Sequence, residues 1–215
     1  MIWFSLLAVN ITVDPETAHP LILLSSDQKQ VSCGKTKQQY PESPKRFVSS
    51  VAVLGDKGFR SGRFYYEVQV SGKIAWTLGV ARESIARNSS LLLTPSHGFW
   101  GIWLRYHIGN KIYRATNKYL KLEHEPERVG VFVDYKAGSV SFYDADTWNE
   151  LYSYRDANFR EEMYPYFSPS SDYEGENVSL LIIHTPNCVR NSRRCQFFFS
   201  LIYVANHGHF PKLSE

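Results

Sequence analysis

The stretch that most constrains this chain is Gly62-Arg63-Phe64-Tyr65-Tyr66-Glu67-Val68-Gln69-Val70, followed by Ser71-Gly72-Lys73 and Trp76-Thr77-Leu78-Gly79-Val80. Phe64, Tyr66, Val68 and Val70 fall on one side of an extended segment, and Tyr65, Glu67 and Gln69 on the other, which is the period of a half-buried strand. A turn centred on glycine leads into a second alternating run, and the pair predicts an antiparallel hairpin. The pattern recurs down the chain, which predicts an all-β fold, a sandwich of two sheets. A sandwich without a catalytic constellation works through its loops as a binding module.

Other segments extend the pattern. Leu21-Ile22-Leu23-Leu24 reads as a strand against which Val31-Ser32-Cys33 pairs back. Pro41 and Pro44 mark an extended connection, because proline removes the ladder donor. Val51-Ala52-Val53-Leu54 is a further buried strand, and Arg82 to Asn88 reads as one short turn. In Phe99-Trp100-Gly101-Ile102-Trp103-Leu104, residues Trp100, Ile102 and Leu104 share one face while Phe99 and Trp103 share the other. Aromatic residues on both faces imply that something besides the main core covers the second. Val129, Val131 and Val133 form an inward row, and residues 134–138 turn the chain into Val140-Ser141-Phe142-Tyr143. Leu151 to Tyr154 and Val178 to Ile183 supply the last strands. From Pro186 the pattern stops: Arg190, Arg193 and Arg194 precede an apolar run from Phe197 to Ala205, which reads equally as a docked strand or an atypical terminus.

With 215 residues, 43% hydrophobic and 15% aromatic, the chain fits one large β domain burying roughly 70% of its unfolded surface. A net charge of +3 is too small to imply nucleic acid. Cys33, Cys188 and Cys195 are an odd, sparse set, which favours a reducing cytosol over a disulfide framework. The apolar residues 1–9 lack the basic start of a secretion signal and read as a truncated strand. Asn10, Asn88 and Asn177 head glycosylation sequons, which matter only in the secretory pathway. No apolar run approaches the ~20 residues that span a bilayer.

The ordered motifs resemble the PRY-SPRY family, found at the C-termini of tripartite-motif ubiquitin ligases and butyrophilins. The PRY part is similar to Val13-Asp14-Pro15-Glu16-Thr17-Ala18-His19-Pro20, then Leu21 to Ser25 and Pro44-Lys45-Arg46-Phe47. The SPRY part is similar to Gly62 to Val70, Trp76 to Arg82, Gly98-Phe99-Trp100, Val129 to Tyr135, Ser141-Phe142-Tyr143 and Tyr164-Pro165-Tyr166-Phe167-Ser168-Pro169. The resemblance covers about residues 11–183 and divides the chain into an extension (1–10), a PRY segment (11–60), a SPRY domain (61–185) and an atypical tail (186–215). It implies a bent antiparallel β-sandwich of the concanavalin-like jelly-roll kind, with no catalysis. Ubiquitin transfer in the family's ligases belongs to a RING segment whose Cys/His spacing this chain lacks.

Departures from the family pattern narrow the expectation. Tyr66 stands where the Trp-Glu-Val motif has tryptophan, adding a hydroxyl that needs a partner. Thr77 stands where antibody-binding relatives carry aspartate and phosphate-sensing butyrophilins histidine. Trp103 matches a contact aromatic, Arg105 replaces a second tryptophan, and Ser171 replaces a phenylalanine. These swaps argue against antibody binding.

The expected ligand-binding surface is therefore Thr77, Trp103, Arg105, Tyr106, Lys111, Tyr113, Ser171, Asp172 and Tyr173. Aromatic residues with arginine are the composition of a protein-binding hot spot. The expected function is non-catalytic recognition of a protein ligand in innate immune or ubiquitin-linked signalling. The alternative is a sensor binding a phosphorylated metabolite through Arg105, Lys111 and Arg114, as in some butyrophilins; a secreted relative, as among venom proteins, is a third possibility. The run Arg105, His107, Lys111, Arg114, Lys118 and Lys121, with Tyr106, Tyr113 and Tyr119 interleaved, has the composition of an RNA surface. Glu123, Glu125 and Glu127 blunt that field. Asp134 suits Asx-type hydrogen bonding at a turn rather than catalysis. The spacing of Cys188, Cys195, His207 and His209 fits no established zinc finger, so neither cofactor nor metal is expected.

Overall fold

Alternation along each strand dictates two layers. The computed structural model describes residues 7–186, and within them thirteen strands follow one another. They are β1 (Ile22–Leu24), β2 (Gln30–Cys33), β3 (Val53–Leu54), β4 (Arg63–Gln69), β5 (Trp76–Arg82), β6 (Phe99–His107), β7 (Asn110–Ala115), β8 (Lys118–Leu120), β9 (Arg128–Asp134), β10 (Ser139–Asp144), β11 (Glu150–Tyr154), β12 (Met163–Ser168) and β13 (Leu181–His184). One sheet has the order β1-β2-β13-β4-β9-β10-β11, the other β3-β12-β5-β6-β7-β8. Every pairing between these strands is antiparallel. The fold is the all-β sandwich that the alternation predicts.

Phe64, Tyr66 and Val68 of β4 meet Trp76, Leu78 and Val80 of β5 between the layers. Ile102 and Leu104 and the row Val129, Val131 and Val133 pack in the same core. The second face of the six-stranded sheet is half-roofed. Phe99, Ala81, Leu54 and Tyr166 on its outer side are sealed by Phe47, Ala52 and Ile85, and Tyr166 meets Phe99 and Phe47 edge-on at 4.9 and 5.8 Å. This is the second cover that aromatic residues on both sides of β6 implied.

The hairpin expected between β4 and β5 does not form. β4 lies between β13 and β9, whereas β5 lies between β12 and β6 in the other sheet. Residues 70–75 instead arch from one layer to the other, with Lys73 N donating to Val70 O at 3.2 Å and Gly72 at φ 74°. Period-two alternation records which faces are buried, not which neighbour a strand pairs with, so an arch and a hairpin share one pattern. The last strand also starts later than expected, at Leu181 rather than Val178. Val178 is 62% exposed, and the carbonyls of Asn177 and Ser179 are taken by Lys73 instead of a neighbouring strand.

Other local expectations hold. β1 pairs with β2, Ile85 N donates to Arg82 O in the short turn, and Asp134 Oδ1 accepts from Ala137 N at 2.9 Å in an Asx-type turn. Asp134 Oδ2 also receives Arg63 Nε at 2.6 Å. Of the N-terminal stretch, Ala8 bridges Tyr65 in parallel register. Residues 1–6 and the tail from 187, with its arginines, two cysteines and two histidines, lie outside the described residues.

The first sixty residues are woven into both layers: β1 and β2 extend one sheet beyond β13, and β3 extends the other beyond β12. Arg46 ties this region down, donating to the carbonyls of Pro15, Ala18 and Pro41 while lying 5.0 Å from the Tyr40 ring. His19 Nδ1 accepts from Leu21 N, so its Nε2 proton goes to the Val48 carbonyl at 3.2 Å. Burial lowers the pKa of this ring, consistent with a neutral imidazole linking the two segments.

Candidate functional site on the outer sheet face

Register aligns one row of side chains across five strands on the outer face of the six-stranded sheet. Ser168 opposes Thr77, Thr77 opposes Trp103, Trp103 opposes Arg114 and Arg114 opposes Tyr119. Directly opposed residues point to the same side of a sheet. The roof formed by Phe47 and Ile85 covers other residues of this face, and Trp103 belongs to none of the buried clusters.

Arg105 lies two residues along β6 and is fastened from three directions. Its Nη1 donates to the carbonyls of Trp76 at 2.8 Å and Leu104 at 2.7 Å, and its Nη2 donates to Thr77 Oγ1 at 2.9 Å. Burial depresses its pKa, opposed by the nearby phenols of Tyr173 and Tyr166. Thr77 is 1% exposed. It therefore serves as an anchor beneath Arg105, with almost no surface of its own to offer.

The loop carrying Ser171, Asp172 and Tyr173 is pinned by Asn177. The Asn177 Oδ1 accepts from Ile74 N and Ala75 N at 3.0 and 3.2 Å, and Nδ2 lies within 3.0 Å of the carbonyls of Ala75, Pro169 and Ser171. One buried amide thus clamps the 169–177 loop to the arch between the sheets. Lys73, itself 2% exposed, adds its Nζ to the carbonyls of Asn177 and Ser179. Burial pulls its ammonium down to about 8, against the effect of Cys33. Ser170, Tyr173 and Glu174 hold positive φ values of 62°, 50° and 60°, a conformation that costs L-residues and needs such clamps to persist.

The pleat divides the expected surface. Thr77, Trp103 and Arg105 are together on the outer side, and Tyr173 lies close enough to act on the Arg105 charge. Ser171 is exposed and Asp172 half-buried in the same loop. Tyr106, Lys111 and Tyr113 alternate out of that face, because Leu104 opposes Tyr113 and Tyr106 opposes Lys111. Tyr113 packs edge-on against the core residue Trp76 at 6.2 Å. Lys111 is ion-paired to Glu125 at 2.5 Å.

With this architecture in view, the comparisons with known proteins are unambiguous. Residues 63–182 match the sequence pattern of the SPRY domain, and residues 11–59 match that of the SPRY-associated domain, PRY. This chain belongs to the SPRY family. It is 46% identical over 175 residues to "E3 ubiquitin-protein ligase TRIM69" of Mus musculus, covering 81% of this chain and 35% of that protein. It is 43% identical over 169 residues to "Nuclear factor 7, brain" of Xenopus laevis, covering 79% of this chain and 28% of that protein. The chain therefore spans about a third of the length of these relatives. The TRIM65 PSpry crystal structure superposes with a TM-score of 0.65 at 22% identity, over 83% of this chain and 91% of that one, a likeness of fold.

The SPRY domain of tripartite-motif proteins is a protein-interaction module, which suits a site made of a tryptophan, anchored cations and loops. Among the described residues no group of His, Cys, Asp or Glu could hold a metal ion, and no helix is long and apolar enough to cross a membrane. Sequence reasoning placed Tyr119 only in a diffuse basic run, and Arg114 there and in the alternative phosphate pocket, although the two complete the Trp103 row. The signal was available: the two-residue turn at Ile108-Gly109 fixes the pairing of β6 with β7. Asn177 was read only as a sequon. The structure buries it to 2% exposure with both amide atoms hydrogen-bonded, whereas Asn10 and Asn88 are exposed.

Proposed function

We propose that this SPRY domain is a non-catalytic recognition module that grips a protein ligand with the unroofed part of the outer sheet face. Trp103 is the central contact, Tyr119 and the loop bearing Ser171, Asp172 and Tyr173 form its borders, and Thr77 with Arg105 holds the floor. The observation that carries this reading is the contrast within one face. Where Phe99 and Tyr166 lie, the chain covers its own aromatic residues, whereas around Trp103 it does not. A half-buried tryptophan ringed by fixed polar groups is the anatomy of a binding hot spot.

The relatives named as ubiquitin ligases support a place for the domain as the substrate-recognising part of a longer intracellular chain, in ubiquitin-linked or innate immune signalling. Phosphorylated-metabolite sensing fits less well. Its three proposed cations are dispersed, with Arg105 engaged in the floor, Lys111 neutralised by Glu125 and Arg114 alone on the outer row.

The test is affinity capture from cell extract with three baits: wild type, Trp103→Ala and Val48→Ser. Val48 lines a separate groove with Tyr40, Arg46 and Ile85. Proteins enriched by wild type and by Val48→Ser but lost with Trp103→Ala support the proposal. Partners retained by Trp103→Ala and lost with Val48→Ser move the site to the groove and refute it.

A further inference from the structure

We infer that the partner presents an acidic side chain, flanked by apolar residues, to Arg114. This rests on the outer-face reading above and adds to it the chemistry of the ligand.

Arg105 donates to two carbonyls and a hydroxyl, Lys111 pairs with Glu125, and Arg128 pairs with Glu67 and Asp146. Arg114 differs. Among the described residues it has no carboxylate within ion-pair distance, and its Nε is shut off from water without any acceptor. Among the described residues its terminal nitrogens have no acceptor either, and they are not enclosed by them, so they face an incoming group. The guanidinium carbon lies 4.5 Å from the centre of the Tyr119 ring, and Trp103 stands directly across on β6. Tyr119 is 71% exposed, so this is a surface arrangement.

A guanidinium already partly stripped of water and laid against an aromatic ring loses little more hydration when an anion arrives. Its planar fork matches a carboxylate bidentately. Two aromatic side chains beside it supply apolar contact for the residues flanking that acid. A single unpaired guanidinium, with Glu125 already holding Lys111, provides too little positive charge to favour a phosphate group over a carboxylate. The charge and the shape together point to Asp or Glu in a protein segment.

The experiment selects a displayed library of random linear peptides on the wild-type chain. Synthetic winners are then titrated against wild type, Arg114→Gln, Arg114→Lys and Trp103→Ala, each first checked to be fully folded at the assay temperature by a cooperative thermal melt. The inference expects winners with a fixed Asp or Glu next to an aromatic or aliphatic residue. Replacing that acid by its amide, or Arg114 by Gln, weakens binding by about tenfold or more, and the two changes together weaken it no further. Arg114→Lys, which keeps the charge but not the fork, falls between. Winners that need Trp103 but ignore Arg114, or that carry no fixed acid, overturn the inference and leave the outer-face reading standing. Winners indifferent to both residues overturn both, and a selection returning no acid-bearing binder overturns the inference alone. Pyrophosphate that binds through Arg114 more tightly than any winner assigns the site to phosphate and also overturns it.

Discussion

The hydroxyl of Tyr66 in one sheet donates to the carbonyl of Gly79 in the other at 2.8 Å. A second bridge lies beside it, from the Tyr154 hydroxyl to the carbonyl of Gly101 at 2.8 Å, and Gly79 and Gly101 oppose each other directly. Neither glycine has room for a side chain. A Cβ on Gly79 would lie 2.2 Å from the Trp100 carbonyl oxygen, and one on Gly101 would lie 2.4 Å from that of Leu78. Two tyrosines on one layer thus reach the same closely packed glycine pair on the other. The hydroxyl that Tyr66 adds to the family's usual aromatic has its partner, and burial raises its pKa.

Tyr66→Phe removes the bridge without opening a cavity. The Gly79 carbonyl loses a buried donor, and the expected cost is about 1–1.5 kcal/mol. Urea denaturation should show a lower midpoint with an unchanged slope; a midpoint equal to wild type would mean that the bridge contributes nothing net.

Asn177→Asp separates the two halves of the loop clamp. A carboxylate still accepts from Ile74 and Ala75 N–H groups, but it cannot donate to the carbonyls of Ala75, Pro169 and Ser171. The expected loss is on the order of 2–4 kcal/mol, because the buried carbonyls of Ala75 and Pro169 lose a donor and meet a negative charge. Hydrogen exchange should quicken in residues 169–180 first, and protection unchanged there would contradict the clamp.

Lys73 makes the alkaline limb of stability informative. Its folded pKa, pulled down to about 8 by burial, sits below the ~10.4 of an unfolded lysine. Between those values the unfolded chain holds more protons, so this group makes stability rise with pH. Below pH ~8 both states are charged and its contribution is flat. Buried Tyr66 and Tyr166 act oppositely, but only above pH ~10, where unfolded tyrosines ionise. Comparing wild type with Lys73→Met at pH ~7.5 and ~9.5, the stability difference should move in favour of wild type by on the order of 1–2 kcal/mol. Parallel pH profiles would show that Lys73 titrates as it does in the unfolded chain.

Arg105 and Trp103 should separate stability from binding. Arg105→Ala deprives two carbonyls and the buried Thr77 hydroxyl of a charged donor, for an expected cost of about 2–4 kcal/mol. Trp103→Ala lies outside every buried cluster and should cost about 1 kcal/mol or less. Thermal melts of both variants check this; the reverse order would make Trp103 structural.

The layers were legible because burial on one side of a strand imposes period two, as in Phe64, Tyr66 and Val68 or in Val129, Val131 and Val133. The partner of each strand was less so. β4 and β5 follow each other across a glycine turn yet belong to different sheets, and nothing in their alternation distinguishes an arch from a hairpin. The candidate site was split by the alternation itself, which was legible but was not applied to residues grouped by closeness in sequence. Trp103, Arg105, Tyr106, Lys111 and Tyr113 are close in sequence, but the pleat sends Tyr106, Lys111 and Tyr113 to the opposite side. Asn177 and Lys73 escaped notice because their value comes from carbonyls brought together by the arch, and carbonyls leave no mark in a sequence.

As proposed above, this domain meets its protein ligand on the outer face of the six-stranded sheet. A photo-crosslinking amino acid placed in cells at Trp103, at Tyr119, or at the exposed Glu150 of β11 on the other sheet tests it most directly. Discrete protein adducts from positions 103 and 119, absent from 150, are the predicted result; adducts from 150 with none from 103 or 119 would contradict it.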